Sequence, residues 1–445
     1  MSRTMGIHGK GGLRGEVRLP GDKSISHRVA MLAAIAQGVS RISNFASSAD
    51  CHATLECVRR LGIEVEFSHD EVIIHGQGLR GMNPPRLPAE LDAQNSGSTI
   101  RMISGILAGQ RFTSTIDGDA SLHRRPMQRI IEPLTLMGAQ IGASDGNFAP
   151  LTIIGGELRA IDYTSPVASA QVKTCVLFAG LYADGRTRLR EPSLSRNHSE
   201  LMLAEFGARL EREEDGTLSI EGGAELNPVD YSVPGDVSSA AFVVGGASVL
   251  AGSEISMKGV SLNRTRTGFF DVLDQLGAQV EARNVRAEHG ELVGDLYVTA
   301  SQLKTASGGL LLAGDIIPNI IDEIPMLAVL ATQVEGRVEV RGARELRIKE
   351  SDRIRTVVAG IRAMGGVIDE YEDGFAVSGP QALVGARVET EGDHRIAMAF
   401  AVAGLMADGR TEIVDADCAA VSFPEFYDIL SSLAGEGRVT HQIEP

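Results

Sequence analysis

Five stretches of the chain place a lysine or arginine close behind a small polar start and just ahead of an apolar run, as a cation in the first turn of a helix would lie. Lys23 and Arg28 follow Gly21-Asp22, Arg101 follows Asn95-Ser96-Gly97-Ser98-Thr99, and Lys173 follows Ser169-Ala170-Gln171. Arg353 follows Ser351-Asp352, and Arg395 follows Gly392-Asp393-His394. The helix dipole disfavours such a charge by about 0.3 to 1 kcal/mol, so its repetition needs a reason. A helix start presents unpaired N–H groups to an anion, and an added cation makes a phosphate or carboxylate site. One such stretch alone reads better as a surface cation or a salt bridge to the adjacent aspartate. Their recurrence reverses that preference. Gly21-Asp22-Lys23-Ser24 lacks the spacing of a P-loop, so ATP is not implied.

The densest charge cluster is Glu345-Leu346-Arg347-Ile348-Lys349-Glu350-Ser351-Asp352-Arg353. Its structural reading is a solvated helix start with Ser351 as N-cap. Its chemical reading has Lys349 and Arg353 binding anionic groups while Glu350, held among cations, moves a proton. Asp322-Glu323 precedes the apolar run Ile324-Pro325-Met326-Leu327-Ala328, where an acidic pair is also favourable for structure alone. Cys175 lies in an apolar stretch and reads as core. Cys51, Cys57, Cys175 and Cys418 show no metal-ligand or CxxC spacing, and His27 and His394 each sit beside an arginine without partners at ligand spacing. Metal and covalent-thiol chemistry are disfavoured.

The elements that position these residues repeat. A small-polar start, an apolar helix and a closing glycine recur at Gly38, Gly109, Gly185, Gly252, Gly336 and Gly409, a period of about 70 to 80 residues. The starts are Gly21-Asp22, Asn95-Ser96, Ser165-Pro166, Gly235-Asp236, Asp315 and Gly392-Asp393. Interleaved are amphipathic helices that stop at Leu61-Gly62, Met137-Gly138, Phe206-Gly207, Leu276-Gly277, Met364-Gly365 and, in a degraded copy, near Gly435. Each glycine is expected to end its helix in the left-handed conformation. Alternating β-branched strands such as 71–74 and 218–220 follow. Six copies split into three plus three, and the reading is α/β with two similar domains around a shared interdomain cleft. One is discontinuous, 1–19 with 236–445; the other is 20–235.

With 42 Lys+Arg against 58 Asp+Glu, 42 − 58 gives a charge of −16 over 445 residues. That balance argues against a nucleic-acid surface, so an anionic ligand must meet a local basic cluster. No apolar run reaches the roughly 18 residues of a membrane span, and no signal-peptide stretch opens the chain, so a soluble cytoplasmic protein is expected. At 4% aromatic residues and no Trp, the cores must be aliphatic.

The segments 20–28, Asn95 to Arg101, Arg125-Pro126, Ser169-Ala170-Gln171, Arg347 to Arg353, Asp393 to Met398 and Ser422-Phe423-Pro424-Glu425 together resemble the enolpyruvyl transferases, within them the members that act on shikimate-3-phosphate. The resemblance spans essentially the whole chain. It implies two domains, each of three βαβαββ units with helices packed inside, an inside-out α/β barrel. It also implies attack of the shikimate-3-phosphate 5-hydroxyl on phosphoenolpyruvate, with loss of phosphate, on the route to chorismate and aromatic amino acids. No cofactor and no metal are implied, nor any nucleic-acid or membrane partner, and a monomer is expected.

Residue by residue, the resemblance makes Lys23, Ser24 and Arg28 contacts of shikimate-3-phosphate, Lys23 also reaching phosphoenolpyruvate. Ser169 would hold the shikimate phosphate, with Ala170 beside it through its backbone, and Gln171 would lie between the substrates. The Gly97 backbone and Arg125, with Asn95 alongside, would meet the phosphoenolpyruvate phosphate. Arg353 and Arg395 would clamp its carboxylate, and Lys349 would contact the shikimate ligand. Asp322 would take the hydroxyl proton and Glu350 would protonate the methylene carbon. Val421 stands where many members have a lysine, so one phosphoenolpyruvate contact is either missing or supplied from elsewhere, by Arg196, Arg264 or Arg266. Three other readings stay open: the sister transferase acting on UDP-N-acetylglucosamine, whose usual loop cysteine has no counterpart in 117–125; an RNA-end cyclase-like or nucleic-acid-binding protein, which the −16 charge speaks against; and a non-catalytic anion-binding module.

Overall fold

The computed structural model describes residues 3–9, 11–68, 71–84 and 91–442. The chain divides into two compact units: Gly21–Val233 with Ala287–Glu291, and Met1–Pro20 with Pro234–Arg286 and Leu292–Pro445.

The unit built on 21–233 contains α1 (Lys23–Ile35), α2 (Ala49–Arg60), α3 (Gly97–Ala108), α4 (Gln128–Leu136), α5 (Ala170–Gly180) and α6 (His198–Glu205). Helices α1, α3 and α5 are apolar around nearly their whole circumference and are buried along their length. A helix without a polar face can only lie inside. Small residues let these helices touch backbone to backbone, since a Cβ on Gly105 of α3 would fall 2.1 Å from the Cys175 carbonyl of α5. Three four-stranded sheets belong to this unit. In one, Leu91–Asp92 runs parallel to Thr113–Asp117, which pairs antiparallel with Phe148–Ile154, itself antiparallel to Gln140–Ser144. The parallel pair brackets α3, which is the crossover a parallel connection demands. The other two sheets repeat the scheme, one of them borrowing its parallel strand, Tyr231–Ser232, from the end of the unit. Along Phe148–Ile154 the buried residues Ala149, Leu151 and Ile153 alternate with less buried ones, the period-2 signature of a sheet covering a core.

The other unit contains α7 (Val237–Val249), α8 (Gly268–Gln275), α9 (Ile316–Ile320), α10 (Ile324–Ala331), α11 (Arg353–Ala363), α12 (His394–Met406) and α13 (Phe426–Ala434). Here α7, α10 and α12 are the buried trio and pack on one another. The sheet scheme recurs. Thr4–His8 lies between Arg410–Val414 and Val439–Gln442, which explains why the sixth repeat looks degraded in sequence: the N-terminus supplies one of its strands. Arg14–Val17 is the parallel neighbour of Glu254–Ser261.

All six glycines expected to end the amphipathic helices have positive φ, from 79° at Gly365 to 109° at Gly138. Two local expectations are corrected. The fifth buried helix does not run from Asp315: the short α9 ends at Ile320, and α10 begins at Ile324 with Pro325 in its first turn, where the missing N–H costs nothing. The N-cap of α11 is Asp352, whose carboxylate accepts from the Arg355 N–H, because Ser351 is drawn off to Asp393. Among the described residues, no helix is long and apolar enough to cross a membrane.

Candidate functional site

In the 21–233 unit the expected ligand residues lie at the starts of the buried helices. Asp22, Ser96 and Ser169 cap α1, α3 and α5, each accepting from a first-turn N–H. Lys23 opens α1 and its Nζ lies 2.9 Å from Asp50 Oδ2. Arg28, one turn further on, is buried and donates through Nε to Ser199 Oγ at 2.8 Å, through Nη1 to the Ser24 carbonyl at 2.8 Å, and through Nη2 to Thr174 Oγ1 at 2.9 Å and the Ala170 carbonyl at 3.3 Å. It thereby ties together the first turns of α1, α5 and α6. Arg196 Nη1 reaches Ser24 Oγ at 3.4 Å.

A second group forms around α3. Arg125 donates to the Asn95 side-chain oxygen at 2.7 Å, to its carbonyl at 3.2 Å and to Ser121 Oγ at 3.1 Å. Arg101 donates to Gln171 Oε1 at 2.9 Å, and Gln171 in turn donates to Ser98 Oγ at 3.0 Å. A Cβ on Gly97 would stand 2.7 Å from Arg101 Nη1 and 3.3 Å from Arg125 Nη1, so the absent side chain makes room for two guanidinium groups. Hydrogen bonds to neutral oxygens help to fix Arg28, Arg101 and Arg125 in place, and a guanidinium so oriented can bind an anion.

In the other unit the arrangement is of opposite character. Arg353, 1% exposed, donates through Nε to Asp393 Oδ2 at 2.8 Å and through Nη2 to Glu350 Oε2 at 2.6 Å, and its Nη1 lies 3.5 Å from Asp322 Oδ1. Burial opposes the guanidinium charge, but Asp393, Glu350 and Asp322 outweigh it and the group is held charged. Among the described residues Arg353 Nη1 has no hydrogen-bond partner, leaving donors for an incoming carboxylate. Arg395 donates to the Asp322 carbonyl at 3.0 Å and lies 3.7 Å from Asp322 Oδ2 and 3.8 Å from Glu323 Oε1. Two arginines among four carboxylates can grip an acid and still exchange protons with it.

Several expected residues are placed elsewhere. Lys173 does not face a ligand site: it is buried between Glu191 and Glu200, 2.9 Å from each, an internal ion pair. Lys349 pairs with Glu345 at 3.3 Å. The Ala170 carbonyl is taken by Thr174 and Arg28. Arg264 is exposed, while Arg266 is buried against Ser238. Cys175 is fully buried and burial pushes its thiol up, as a core residue should show. His27 donates or accepts at Thr54 Oγ1 over 2.7 Å, and burial followed by the charges of Lys23 and Arg28 pushes its pKa well down, so it is neutral. Sequence reasoning did not single out Asp50, Asp393, Thr174, Ser199 or Glu323 as partners of the expected cations. Asp393 was visible only as a neighbour of Arg395 and Glu323 only as half of an acidic pair, while Asp50 and the hydroxyls carried no signal.

The chain matches the family described as EPSP synthase (3-phosphoshikimate 1-carboxyvinyltransferase) over residues 7–430. It is 50% identical to the 3-phosphoshikimate 1-carboxyvinyltransferase of Solibacter usitatus, covering 95% of this chain and 97% of that protein. The same-named protein of Desulforamulus reducens is 48% identical, covering 95% and 98%. Among solved structures, an EPSP synthase from Acinetobacter baumannii superposes with a TM-score of 0.87 at 38% identity, covering 99% of this chain and 100% of that one. The two-unit α/β fold with buried helix trios and these matches define one class of protein, the enolpyruvyl transferases. Within it, the chain belongs to the EPSP synthase (3-phosphoshikimate 1-carboxyvinyltransferase) family.

Proposed function

We propose that the chain transfers the enolpyruvyl group of phosphoenolpyruvate to the 5-hydroxyl of shikimate-3-phosphate and releases inorganic phosphate. The observation that carries this reading is the Arg353 cluster, in which Asp322 and Glu350 flank one buried guanidinium, in a chain about half identical to carboxyvinyltransferases.

The 5-hydroxyl oxygen bonds to C2 of phosphoenolpyruvate, Asp322 takes the hydroxyl proton, and Glu350 delivers a proton to C3. The tetrahedral adduct then loses phosphate from C2 and a proton from the new methyl group, restoring the double bond. Lys23, Ser24, Arg28, Ser169, Gln171 and Arg196 bind shikimate-3-phosphate in this reading. Lys23, Gly97 and Arg125, with Asn95 orienting the last, meet the phosphate of phosphoenolpyruvate, while Arg353 and Arg395 hold its carboxylate. Lys349 reaches the shikimate ligand after release from Glu345. Two polyanions need fixed positive charge, and the proton transfers need carboxylates held beside it. The reading also makes the protein a cytoplasmic monomer without a cofactor.

The test is phosphate release. It is expected only when shikimate-3-phosphate and phosphoenolpyruvate are supplied together. Release with UDP-N-acetylglucosamine as acceptor would make the chain the sister transferase instead. Saturable binding of both acids with no release would leave an anion-binding protein.

A further inference from the structure

We propose that Ser238 and Arg266 are positioning residues that hold Glu323 off Arg395, and so keep Arg395 available to a substrate carboxylate; the inference rests on the function proposed above. Arg266 lies in the turn before α8, where its backbone N–H donates to the Asn263 carbonyl at 2.8 Å. Its Nη2 donates to Ser238 Oγ, and Ser238 Oγ donates onward to Glu323 Oε1. Ser238 is itself fixed, because Asp236 accepts from its N–H at 2.7 Å in the first turn of α7. Arg266, Ser238 and Glu323 are 2%, 4% and 1% exposed.

This line of buried polar groups joins the starts of α7, α8, α10 and α12. Charges so deeply buried are costly compared with apolar packing, and here they end on a residue expected to bind substrate. The Glu323 Oε1 that accepts from Ser238 is also the oxygen 3.8 Å from Arg395 Nη1, an ion-pair distance longer than a hydrogen bond. The guanidinium of Arg266 polarises the serine hydroxyl and strengthens its grip on that oxygen. Removal of the hydroxyl lets the carboxylate turn and close a direct charge-assisted bond to Arg395, in competition with an incoming carboxylate. The predicted direction is therefore weaker phosphoenolpyruvate binding when a neutral hydroxyl outside the proposed carboxylate clamp is lost.

The experiment measures steady-state kinetics of the full chain with both substrates, with thermal unfolding as a check on each variant. Ser238→Ala is expected to raise KM for phosphoenolpyruvate about tenfold, leave KM for shikimate-3-phosphate within about twofold, and respond to Glu323→Gln. In the double variant the rise should largely disappear, because an amide competes poorly for Arg395, and Ser238→Thr should restore wild-type KM. A fold defect alone would not be relieved by altering a second buried group. Equal rises in both KM values, or no relief in the double variant, would overturn the positioning role while wild-type turnover leaves the proposed function standing. Wild-type protein with no turnover would overturn both.

Discussion

Asp393 holds Arg353 from within the cap of a different helix: its Oδ2 accepts from Arg353 Nε at 2.8 Å while its Oδ1 accepts from the Arg395 N–H at 2.9 Å. One carboxylate thus sets the direction of a buried guanidinium and the start of α12, which carries the second arginine of the proposed carboxylate clamp. Asp393→Ala removes both contacts and leaves a buried charge with fewer partners, so unfolding stability should fall by about 3 to 5 kcal/mol. Urea denaturation measures this, and KM for phosphoenolpyruvate should rise in whatever fraction stays folded. Unchanged stability would show that the ion pair holds nothing.

Gly97→Ala separates crowding from charge. The new Cβ meets Arg101 Nη1 at 2.7 Å and Arg125 Nη1 at 3.3 Å, both at the far ends of flexible side chains. The fold should survive with a stability change under about 1 kcal/mol, while the displaced guanidinium groups weaken phosphoenolpyruvate binding. Calorimetric titration of the variant, in parallel with wild type, reads the loss directly. Wild-type affinity would mean that neither arginine needs its present position.

Lys23→Met and Arg395→Ala each delete a preorganised charge. Loss of one such contact typically costs about 10² to 10³ in rate, and kcat/KM should fall on that scale with the circular dichroism spectrum unchanged. Near-normal turnover in both variants would remove these residues from the site.

His27 gives a pH dependence whose sign follows from its lowered pKa. The unfolded chain binds a proton near pH 6.5 and the folded chain, with a buried neutral imidazole, does not. Stability is therefore complete above that value and falls as pH drops below it, with a slope of at most about 1.4 kcal/mol per pH unit. Denaturant unfolding between pH 5 and 7.5 should show the slope, and His27→Gln should reduce it. Identical slopes in the two proteins would assign the dependence to other groups.

The thiols should be inert in the native state. Burial pushes Cys57 and Cys418 up to about 12, and pushes Cys51 and Cys175 up as well. Mass spectrometry after iodoacetamide treatment at pH 8 should find the folded protein largely unmodified and the unfolded chain labelled at four positions. Rapid labelling of Cys51, Cys57 or Cys175 in the native protein would indicate local opening.

Much of the architecture was legible because it is written in local, periodic chemistry. Glycines 62, 138, 207, 277, 365 and 435 mark helix ends because a positive φ without a Cβ penalty is needed there, and each has one. The runs that became α1, α3, α7 and α12 were legible as apolar helices, while their packing inside each unit was implied only by the family resemblance. Two signals misled. Asp315 looked like a helix start, although Pro318 and Pro325 favour a break and a restart. Ser351 looked like a cap, yet Asp393, distant in sequence, takes its hydroxyl.

The sequence by itself determined which side chains could bind anions and which segments would form apolar helices, since both follow from residue type and spacing of neighbours along the chain. Only the tertiary structure decided which groups surround each cation. Lys173 and Arg353 follow similar polar starts, but Lys173 ends between Glu191 and Glu200 while Arg353 gathers Glu350, Asp322 and Asp393. The difference is physical: the environment of a charge depends on groups within a few ångströms, and in a fold of packed repeats most of those groups come from distant parts of the chain.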